Sequence, residues 1–262
     1  MPVALVLLLA PPLGGELAAA EPSFDCRTAK TARELVTCAD AKIAAADREL
    51  ATAWQSAVAH ADAAMAKALR ADQKQFLSGL DDGFDSEVWG KAGPPEGKEM
   101  RTQVAQLRRQ PDGQDALSEL ERQLRERGAF LRNLRPAQSF AGLWKNNNSE
   151  LLIVPAGEGR FKVSFGERTF GWPKYHCHFT GEFTASDRGL TAPGAHNTDS
   201  EVDEDISGKL LIARAGATLG LSQDIEDNSP DQRRICPRTP ALTGPLFHTS
   251  LKPADARRLD PD

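Results

Sequence analysis

Two cysteines near the start of the chain, Cys26 and Cys38, bracket a short segment that carries a helix-start signal. Thr31 and Glu34 have the spacing of a capping box, in which each side chain accepts a hydrogen bond from the other residue's backbone N–H. Asp40 is a natural N-cap for a second helix, because its carboxylate can accept a free backbone N–H. A disulfide between the two cysteines would hold the first helix in place, since so short a helix is unstable alone in water.

The chain has four cysteines, and four cysteines allow three pairings among which the sequence does not choose. We favour Cys26–Cys38 together with Cys177–Cys236, because each pair then lies within one compositional half of the chain. Paired cysteines are typical of oxidising compartments. The sequence therefore predicts a periplasmic or secreted protein.

Residues 1–20 have the composition of a secretory signal peptide: an apolar run, then a small-residue end at Ala18, Ala19 and Ala20. The run is too short to cross a bilayer as a helix. We expect the mature chain to begin near Glu21, with no membrane span after it. We expect no lipid anchor at Cys26, because small residues do not precede it.

Helical periodicity dominates the first half of the chain. Between residues 40 and 80 the apolar residues recur in steps of three and four, which predicts one long helix that ends at residues 81–83. A second helical stretch covers residues 98–109, is broken at 111–113 and resumes from 114 to 134. The pattern predicts an antiparallel helical hairpin with a disulfide-stapled start.

From Phe140 onward, short segments alternate apolar and polar residues, with turn residues between them. Residues 151–154 and 161–165 flank a glycine-containing turn and predict a hairpin. Further strand segments are 175–183, 209–213, 218–222 and 242–251. Many short strands without helices predict a small antiparallel β sandwich or barrel. The expected organisation is α+β: a signal peptide at 1–20, a helical domain at 21–135, a β domain at 136–252 and a tail at 253–262.

The stapled segment resembles the N-terminal domain of the LprI family of lysozyme inhibitors, which are small bacterial envelope proteins. The matching residues are Ser23, Phe24, Asp25, Cys26, Glu34, Cys38, the Ala-Asp-Arg-x-Leu run at 46–50, and Trp54. Gln73 and Phe76 fit a later Gln and aromatic of the family, whereas its second cysteine pair has no counterpart between Cys38 and Cys177. The resemblance implies that the chain inhibits lysozyme by binding it.

Few residues offer catalytic or metal chemistry. The chain has no nucleophile elbow, phosphate-binding glycine loop or zinc-type cysteine spacing, which predicts a protein that is not an enzyme and needs no cofactor. His176 and His178 would share one strand face and, with a third ligand from His196 or the acidic loop, could bind a metal ion. We favour a solvated strand face instead. Residues 199–205 could hold calcium but lack the spacing of an EF-hand loop, and a solvated acidic loop is favoured.

A net charge of −5 argues against nucleic acid and is compatible with a basic protein such as an animal-type lysozyme. Acidic residues concentrate at 199–205 and 224–231, and Asp203, Glu204 and Asp205 are the candidates for attracting such a partner. A basic or polar loop could also enter between the two catalytic carboxylates of lysozyme. The candidates for that loop are residues 145–148, with Lys145, and 207–209, with Lys209.

The alternative function is a ligand-binding module of the cell envelope, whose β barrel would hold a small apolar or glycan molecule. Gly142 and Trp144, two residues apart at the start of the β region, resemble the opening strand of lipocalins. A tryptophan that closes one end of a small barrel would have the same pattern without any role in binding.

Overall fold

The computed structural model describes residues 21–92, 94–95, 97–168, 175–197, 205–224 and 244–251. In this part of the chain a helical region precedes a closed antiparallel barrel, which confirms the α+β class. The helices are α1 (Ala32–Ala39), α2 (Ala41–Ala59), α3 (Ala63–Trp89), α4 (Gly97–Leu107) and α5 (Pro111–Arg132), with short 3-10 turns at Cys26–Thr28 and Gly90–Ala92. The strands are β1 (Gly142–Lys145), β2 (Ser149–Gly157), β3 (Arg160–Arg168), β4 (Tyr175–Ser186), β5 (Gly189–Asn197), β6 (Asp205–Ala215), β7 (Thr218–Asp224) and β8 (Leu246–Thr249).

The expected signal peptide, the C-terminal tail and the predicted Cys177–Cys236 bridge lie outside the described residues. Among the helices that are described, none combines the length and the apolar character needed to cross a bilayer.

The stapled start of the helical region forms as predicted. Cys26 and Cys38 are joined by a disulfide, with their Cα atoms 5.8 Å apart. The backbone N–H of Glu34 donates to Thr31 Oγ1 at 3.2 Å, and the backbone N–H of Thr31 donates to Glu34 Oε2 at 3.1 Å. Both halves of the capping box are therefore made, and α1 is held at its start and at its end.

Asp40 caps α2, as its position predicts. Its carboxylate accepts the backbone N–H groups of Lys42 and Ile43, at 2.9 and 3.3 Å, and the guanidinium of Arg108 at 2.8 Å. Burial opposes ionisation of Asp40, but these hydrogen bonds and the nearby Arg108 charge outweigh it and lower its pKa. The ionised carboxylate is therefore the form that stabilises the fold.

Replacing Asp40 by Ala is expected to destabilise the protein by about 1 kcal/mol, because α2 loses its cap. Asp40→Asn keeps an oxygen acceptor and should cost less. Because the folded pKa lies below the unfolded value of about 4, the ionic part of the stabilisation is complete above that pH and lost as the pH falls through the folded pKa. Urea unfolding of wild type and Asp40→Asn at several pH values would measure this. A difference that persists unchanged at the most acidic pH would contradict the assignment.

The prediction of one helix over 40–80 is wrong at two places. α2 ends at Ala59, and Asp62 caps a separate helix by accepting the backbone N–H of Met65 at 2.8 Å. α3 then continues through the predicted stop at 81–83 to Trp89.

Tertiary packing explains why α3 continues. Leu80 and Phe84 are buried on either side of the predicted stop. Asp81 accepts a hydrogen bond from Arg33 Nε at 2.8 Å, which ties this turn to α1. A glycine inside a helix costs about 1 kcal/mol, whereas burying a Phe side chain contributes about 1.5–3 kcal/mol. The helix ends instead at Gly90, whose φ of 56° suits a glycine.

Pro111 begins α5, where the sequence pattern predicted a break. A proline is tolerated at the first helical position because its missing N–H would have no partner within the helix there. Gly113 allows the close approach of α4, since a Cβ at this position would lie only 2.2 Å from the carbonyl oxygen of Leu107.

Helices α2 and α5 pack closely and run in the same direction. Contacts advance along both, from Asp40 with Arg108, just before α5, to Glu49 with Arg125 farther along. Gly128 makes the close approach possible, because its side of α5 faces the backbone of Leu50; a Cβ added there would sit 3.6 Å from the Leu50 Cα. The buried apolar faces of these helices form the core of the helical region.

The eight strands form a closed barrel in sequence order, and β1 completes the ring by pairing with β8. The predicted hairpin is confirmed: β2 and β3 pair around a turn in which Gly157, Glu158 and Gly159 all have positive φ. Alternate residues point inward and fill the interior with apolar side chains. Those buried inside include Trp144, Leu151, Ile153, Val163, Phe165, Phe179, Phe183, Leu190, Leu210, Ile212, Leu219 and Leu246.

The helical region packs on the outside of the barrel. Phe247 of β8 points away from the barrel interior and joins the helical core, where its ring contacts Phe130 edge to face, with centroids 6.2 Å apart. Leu134 forms a β-bridge with Thr249, and the backbone N–H of Arg135 donates to the carbonyl of His248 at 3.1 Å. The two parts of the molecule therefore share apolar packing and backbone hydrogen bonds.

Candidate binding surface

The first predicted contact residue, Lys145, already has an ion-pair partner on a neighbouring strand of the barrel. Its ammonium pairs with Glu150 across the β1–β2 hairpin. Asn146, which follows, is buried and shapes the turn by accepting the backbone N–H groups of Asn148 and Ser149 at 2.9 and 2.7 Å.

The turn after Lys145 also rests on the helical region. The backbone N–H of Asn147 donates to Asp72 Oδ1 of α3 at 3.0 Å. The sequence suggested this loop as one that could enter a lysozyme active site, but its backbone is held against the helices.

Lys209 lies on the outer face of β6 and is exposed. Residues 207–209 are part of this strand, so the structure has a strand where the sequence suggested a loop. Asp205 begins β6, although its side chain is not described, and Asp203 and Glu204 lie outside the described residues.

Strand order relates the two acidic segments to each other. Successive strands are antiparallel. The end of β5, the start of β6 and the end of β7 therefore all lie at the same end of the barrel. The β1–β2 turn, which contacts α3, lies at this same end. Residues 199–205 and 224–231 therefore connect to neighbouring strand ends.

A groove of about 360 Å³ lies on the outer side of the barrel beside Lys209. It is lined by Ser186, Asp187, Arg188, Thr191, Lys209, Leu211, Ser222 and Gln223. Asp187 and Arg188 form the tip of the β4–β5 turn, and both are exposed. Gly189 lets this turn lie against β6: it has a φ of 138°, and a Cβ there would meet the Ile212 carbonyl oxygen at 2.2 Å.

The groove offers mainly polar contacts. Two cationic side chains and one carboxylate stand beside hydroxyl groups, which suits hydrogen bonding to a polar peptide or saccharide. Lys209 was predicted from the sequence as a contact residue, whereas Asp187 and Arg188 were not. The available signal was Asp-Arg-Gly between two alternating segments, the composition of a tight turn that exposes its central side chains.

The predicted metal alternative finds no support in the described residues. There, no group of three or more His, Cys, Asp or Glu side chains is arranged to bind a metal ion. His178 Nε2 lies 3.2 Å from Ser164 Oγ, a side chain that is fully buried. The side chains of His176 and His196 lie outside the described residues.

One end of the barrel is closed by aromatic and polar contacts. The Trp144 indole N–H donates to the Phe140 carbonyl at 2.7 Å, and the Arg214 guanidinium lies over the Phe140 ring. His248 packs edge to face on Trp144, and burial lowers its pKa, so the neutral imidazole is favoured. Trp144 is thus a buried plug, the structural role that its pattern allowed.

The residues that carry the resemblance at the N-terminus form one connected unit. Asp47 Oδ2 accepts the backbone N–H of Ser23 at 2.7 Å, and Arg48 donates to the Glu21 carbonyl. Leu50 is buried in the helical core, and Trp54 packs against it. The Asp-Arg-x-Leu run therefore fastens the segment before Cys26 to α2. Comparisons with protein-family models, curated proteins and solved structures found no match to this chain.

Proposed function

We propose that this protein is a non-enzymatic protein of the bacterial envelope that binds lysozyme through its outer surface. The observation that carries the proposal is the stapled N-terminal unit, in which Cys26 is bonded to Cys38 and Ser23 to Asp47. Asp47 and Arg48 hold the segment before the Cys26–Cys38 bridge. These residues thus form one structural unit. Their joint occurrence is better explained by a fold shared with the lysozyme inhibitors than by chance.

The filled barrel supports contact on the outer surface rather than a ligand inside. Trp144, Phe165, Phe179 and Phe183 are all fully buried, and they occupy the interior between opposite strands. Barrels that bind small molecules keep a cavity between such walls. A protein partner needs only an accessible surface.

The surface we assign to lysozyme begins at the barrel end that connects to residues 199–205 and 224–231. It continues along the outer face of the barrel through the groove, from Lys209 to Arg188, which lies toward the opposite end. The acidic residues of these two segments would attract a basic partner from a distance and raise the association rate. The groove would then make short-range contacts through Arg188 and Lys209, both of which are exposed and without an ion-pair partner among the described residues.

Binding kinetics of the mature chain on an immobilised basic lysozyme would test this proposal. Changing Asp203, Glu204 and Asp205 together to Asn, Gln and Asn should slow association by roughly threefold to tenfold in dilute buffer, because long-range attraction is lost. The difference should shrink as salt is added, since the Debye length is about 10 Å at 0.1 M salt.

A matched control separates local attraction from net charge. Glu99→Gln, Asp112→Asn and Asp115→Asn remove the same number of charges from exposed positions on α4 and α5. This variant should associate at the wild-type rate. Absence of binding at low salt would refute the proposal for that lysozyme, and equal slowing in both variants would refute the assigned surface. A ligand inside the barrel predicts no response to either set of changes.

A further inference from the structure

The exposed face of α3 has an unusual distribution of charge. One side of this helix is buried, through Ala66, Leu69, Asp72, Phe76, Leu80 and Phe84. Away from this side, the first half carries the exposed Lys67, Arg70 and Lys74. The second half carries the exposed Asp82 and the partly exposed Asp81 and Asp85. At 100° per residue these six side chains fall on one face. A helix of 27 residues is about 40 Å long, so positive and negative charge occupy separate halves of a long ridge.

This arrangement is unfavourable for an isolated α3. Arg70 and Lys74 are like charges four residues apart, as are Asp81 and Asp85, and such pairs destabilise a helix. Apart from the Asp62 cap, neither end has the charge that the helix dipole favours, since the first turn has no acidic residue and the last turn no basic one. Burial first, and then Asp81 and Asp82, raise the pKa of Asp85.

Helix α5 shows that the same chain can arrange surface charge differently. There, Glu119 and Glu126 both pair with Arg122, and Glu121 pairs with Arg125, all at spacings of three or four. Opposite charges alternate along α5 and satisfy one another within the helix. The charges of α3 are segregated, and they require partners from outside the helix.

Partners within the described part of the molecule are few. Arg33 pairs with Asp81 at 2.8 Å, and no ion pair is formed there by Lys67, Arg70, Lys74, Asp82 or Asp85. The middle of the face carries small exposed residues, Ala71 and Ser78, which would let another helix approach closely.

We propose that α3 is the contact surface of a symmetric homodimer, in which the α3 helices of two copies cross in antiparallel orientation. A two-fold axis near residue 76 places Lys67 opposite Asp85 of the partner subunit and Arg70 opposite Asp82 of the partner subunit. Lys74 then faces Ser78 of the partner subunit. Two-fold symmetry makes each contact twice, so the dimer has four ion pairs: two of Lys67 with Asp85 and two of Arg70 with Asp82.

Charge complementarity selects a second copy over other partners. A membrane surface or a nucleic acid presents one sign of charge, and it would repel half of this ridge. The reversed helix of a second copy presents both signs in the required order. A contact made by one pair of helices is smaller than the roughly 1,200 Å² of standard stable interfaces, so the dimer is weak and reversible.

Sedimentation velocity of the mature chain, at several concentrations and two salt concentrations, would test the dimer. Wild type should dimerise in dilute buffer and dissociate in high salt. The variant Lys67→Glu/Arg70→Glu makes the face acidic, and the variant Asp82→Lys/Asp85→Lys makes it almost entirely basic. Each should weaken self-association by at least about tenfold, since four attractive contacts become repulsive.

Mixing the two variants is the decisive measurement, because all four contacts are complementary again in the heterodimer. The mixture should therefore recover a dimer at wild-type concentrations. Lys98→Glu/Arg101→Glu changes the net charge by the same amount as the acidic variant, at exposed positions of α4, and should leave the dimer intact. Circular dichroism should show folded variants, because each variant turns one like-charge pair spaced four residues apart in α3, Arg70 with Lys74 or Asp81 with Asp85, into an attractive pair.

The dimer predicts a definite result in each of these measurements. A wild-type chain that stays monomeric at high concentration and low salt would overturn the proposal. So would variants that dimerise as wild type does, or a mixture of the two that remains monomeric. These measurements contain no lysozyme, so their result is independent of the proposed function.

Discussion

Replacing Arg127 by Met is expected to lower the free energy of unfolding by about 3–5 kcal/mol, the cost of breaking a buried ion pair on one side. Arg127 Nη2 lies 2.7 Å from Asp72 Oδ2, and both side chains are almost fully buried, at 3% and 4% exposure. Without the guanidinium, Asp72 would remain in the interior as an uncompensated charge. A buried charge without a partner is among the most costly defects a fold can carry.

Two further sets of contacts make Arg127 difficult to replace. Its guanidinium lies over the rings of Phe76 and Phe130, at 5.1 and 4.8 Å from their centroids. Its Nε donates to Gln73 Oε1 at 2.9 Å. The Phe130 ring contacts Phe247 of the barrel. Loss of the guanidinium would therefore loosen the packing that joins the helices to β8.

Asp72 extends the same network to the barrel, through the backbone N–H of Asn147. The double variant Asp72→Asn/Arg127→Met removes both charges and keeps an oxygen acceptor for that N–H. It should recover much of the stability that Arg127→Met loses, because no charge remains unpaired. Unfolding in guanidinium chloride of Arg127→Met, Asp72→Asn and the double variant would measure the coupling between the two side chains.

Arg122→Met is the matched control. Arg122 is on the same helix and pairs with Glu119 and Glu126, but it is nearly half exposed, and exposed pairs contribute about 0–1 kcal/mol. If Arg127→Met lowers the free energy of unfolding no more than Arg122→Met does, the buried ion pair does not have the stabilising role assigned to it. Additive single and double variants would show that the two charges are not coupled.

Removing the Cys26–Cys38 bridge is expected to cost about 3 kcal/mol in the loop-entropy model, for a loop with a sequence separation of 12. The variant Cys26→Ser/Cys38→Ser avoids leaving a free thiol. The loss should be local: α1 and the segment before it are short, and depend on the bridge, the capping box and the contact of Ser23 with Asp47.

Hydrogen exchange would locate the effect. In the serine variant, amide protection should fall in α1 and in residues 21–31, whereas β2 and β3 should keep theirs because their hydrogen bonds lie within the barrel. Wild type treated with a reductant should lose protection in the same region. Loss of protection throughout the barrel would contradict a local role for the bridge.

The features that could be predicted from the sequence are those whose interacting atoms lie within a few residues of one another. The capping box of Thr31 and Glu34, the Asp40 cap and the turn at Gly157–Gly159 all follow from side chains or backbone angles fixed locally. Alternation of apolar residues was enough to predict strands and a closed or layered β fold, because inward-facing positions repeat every second residue.

The positions of helix ends needed tertiary information. Residues 81–83 have the composition of a helix stop, but burial of Leu80 and Phe84 against other helices outweighs that local preference. The break after Ala59 was marked by Asp62, a good N-cap inside an alanine-rich run whose periodicity hid it.

The burial of particular charged and aromatic residues, and the segments that cover them, could be known only from the packed structure. Arg127 lies in the apolar stripe of α5, between Leu124 and Leu131, but the sequence does not show that Asp72 and Phe76 meet it there and bury it. Arg122 and Arg125 of the same helix lie off this stripe, and their side chains are 46% and 42% exposed. Phe247 belongs to a strand yet packs in the helical core, and the loop after Lys145 rests on α3. Burial depends on which distant segments meet, because desolvation and packing are set by all neighbours in space, whereas capping and turn geometry are set by neighbours in sequence.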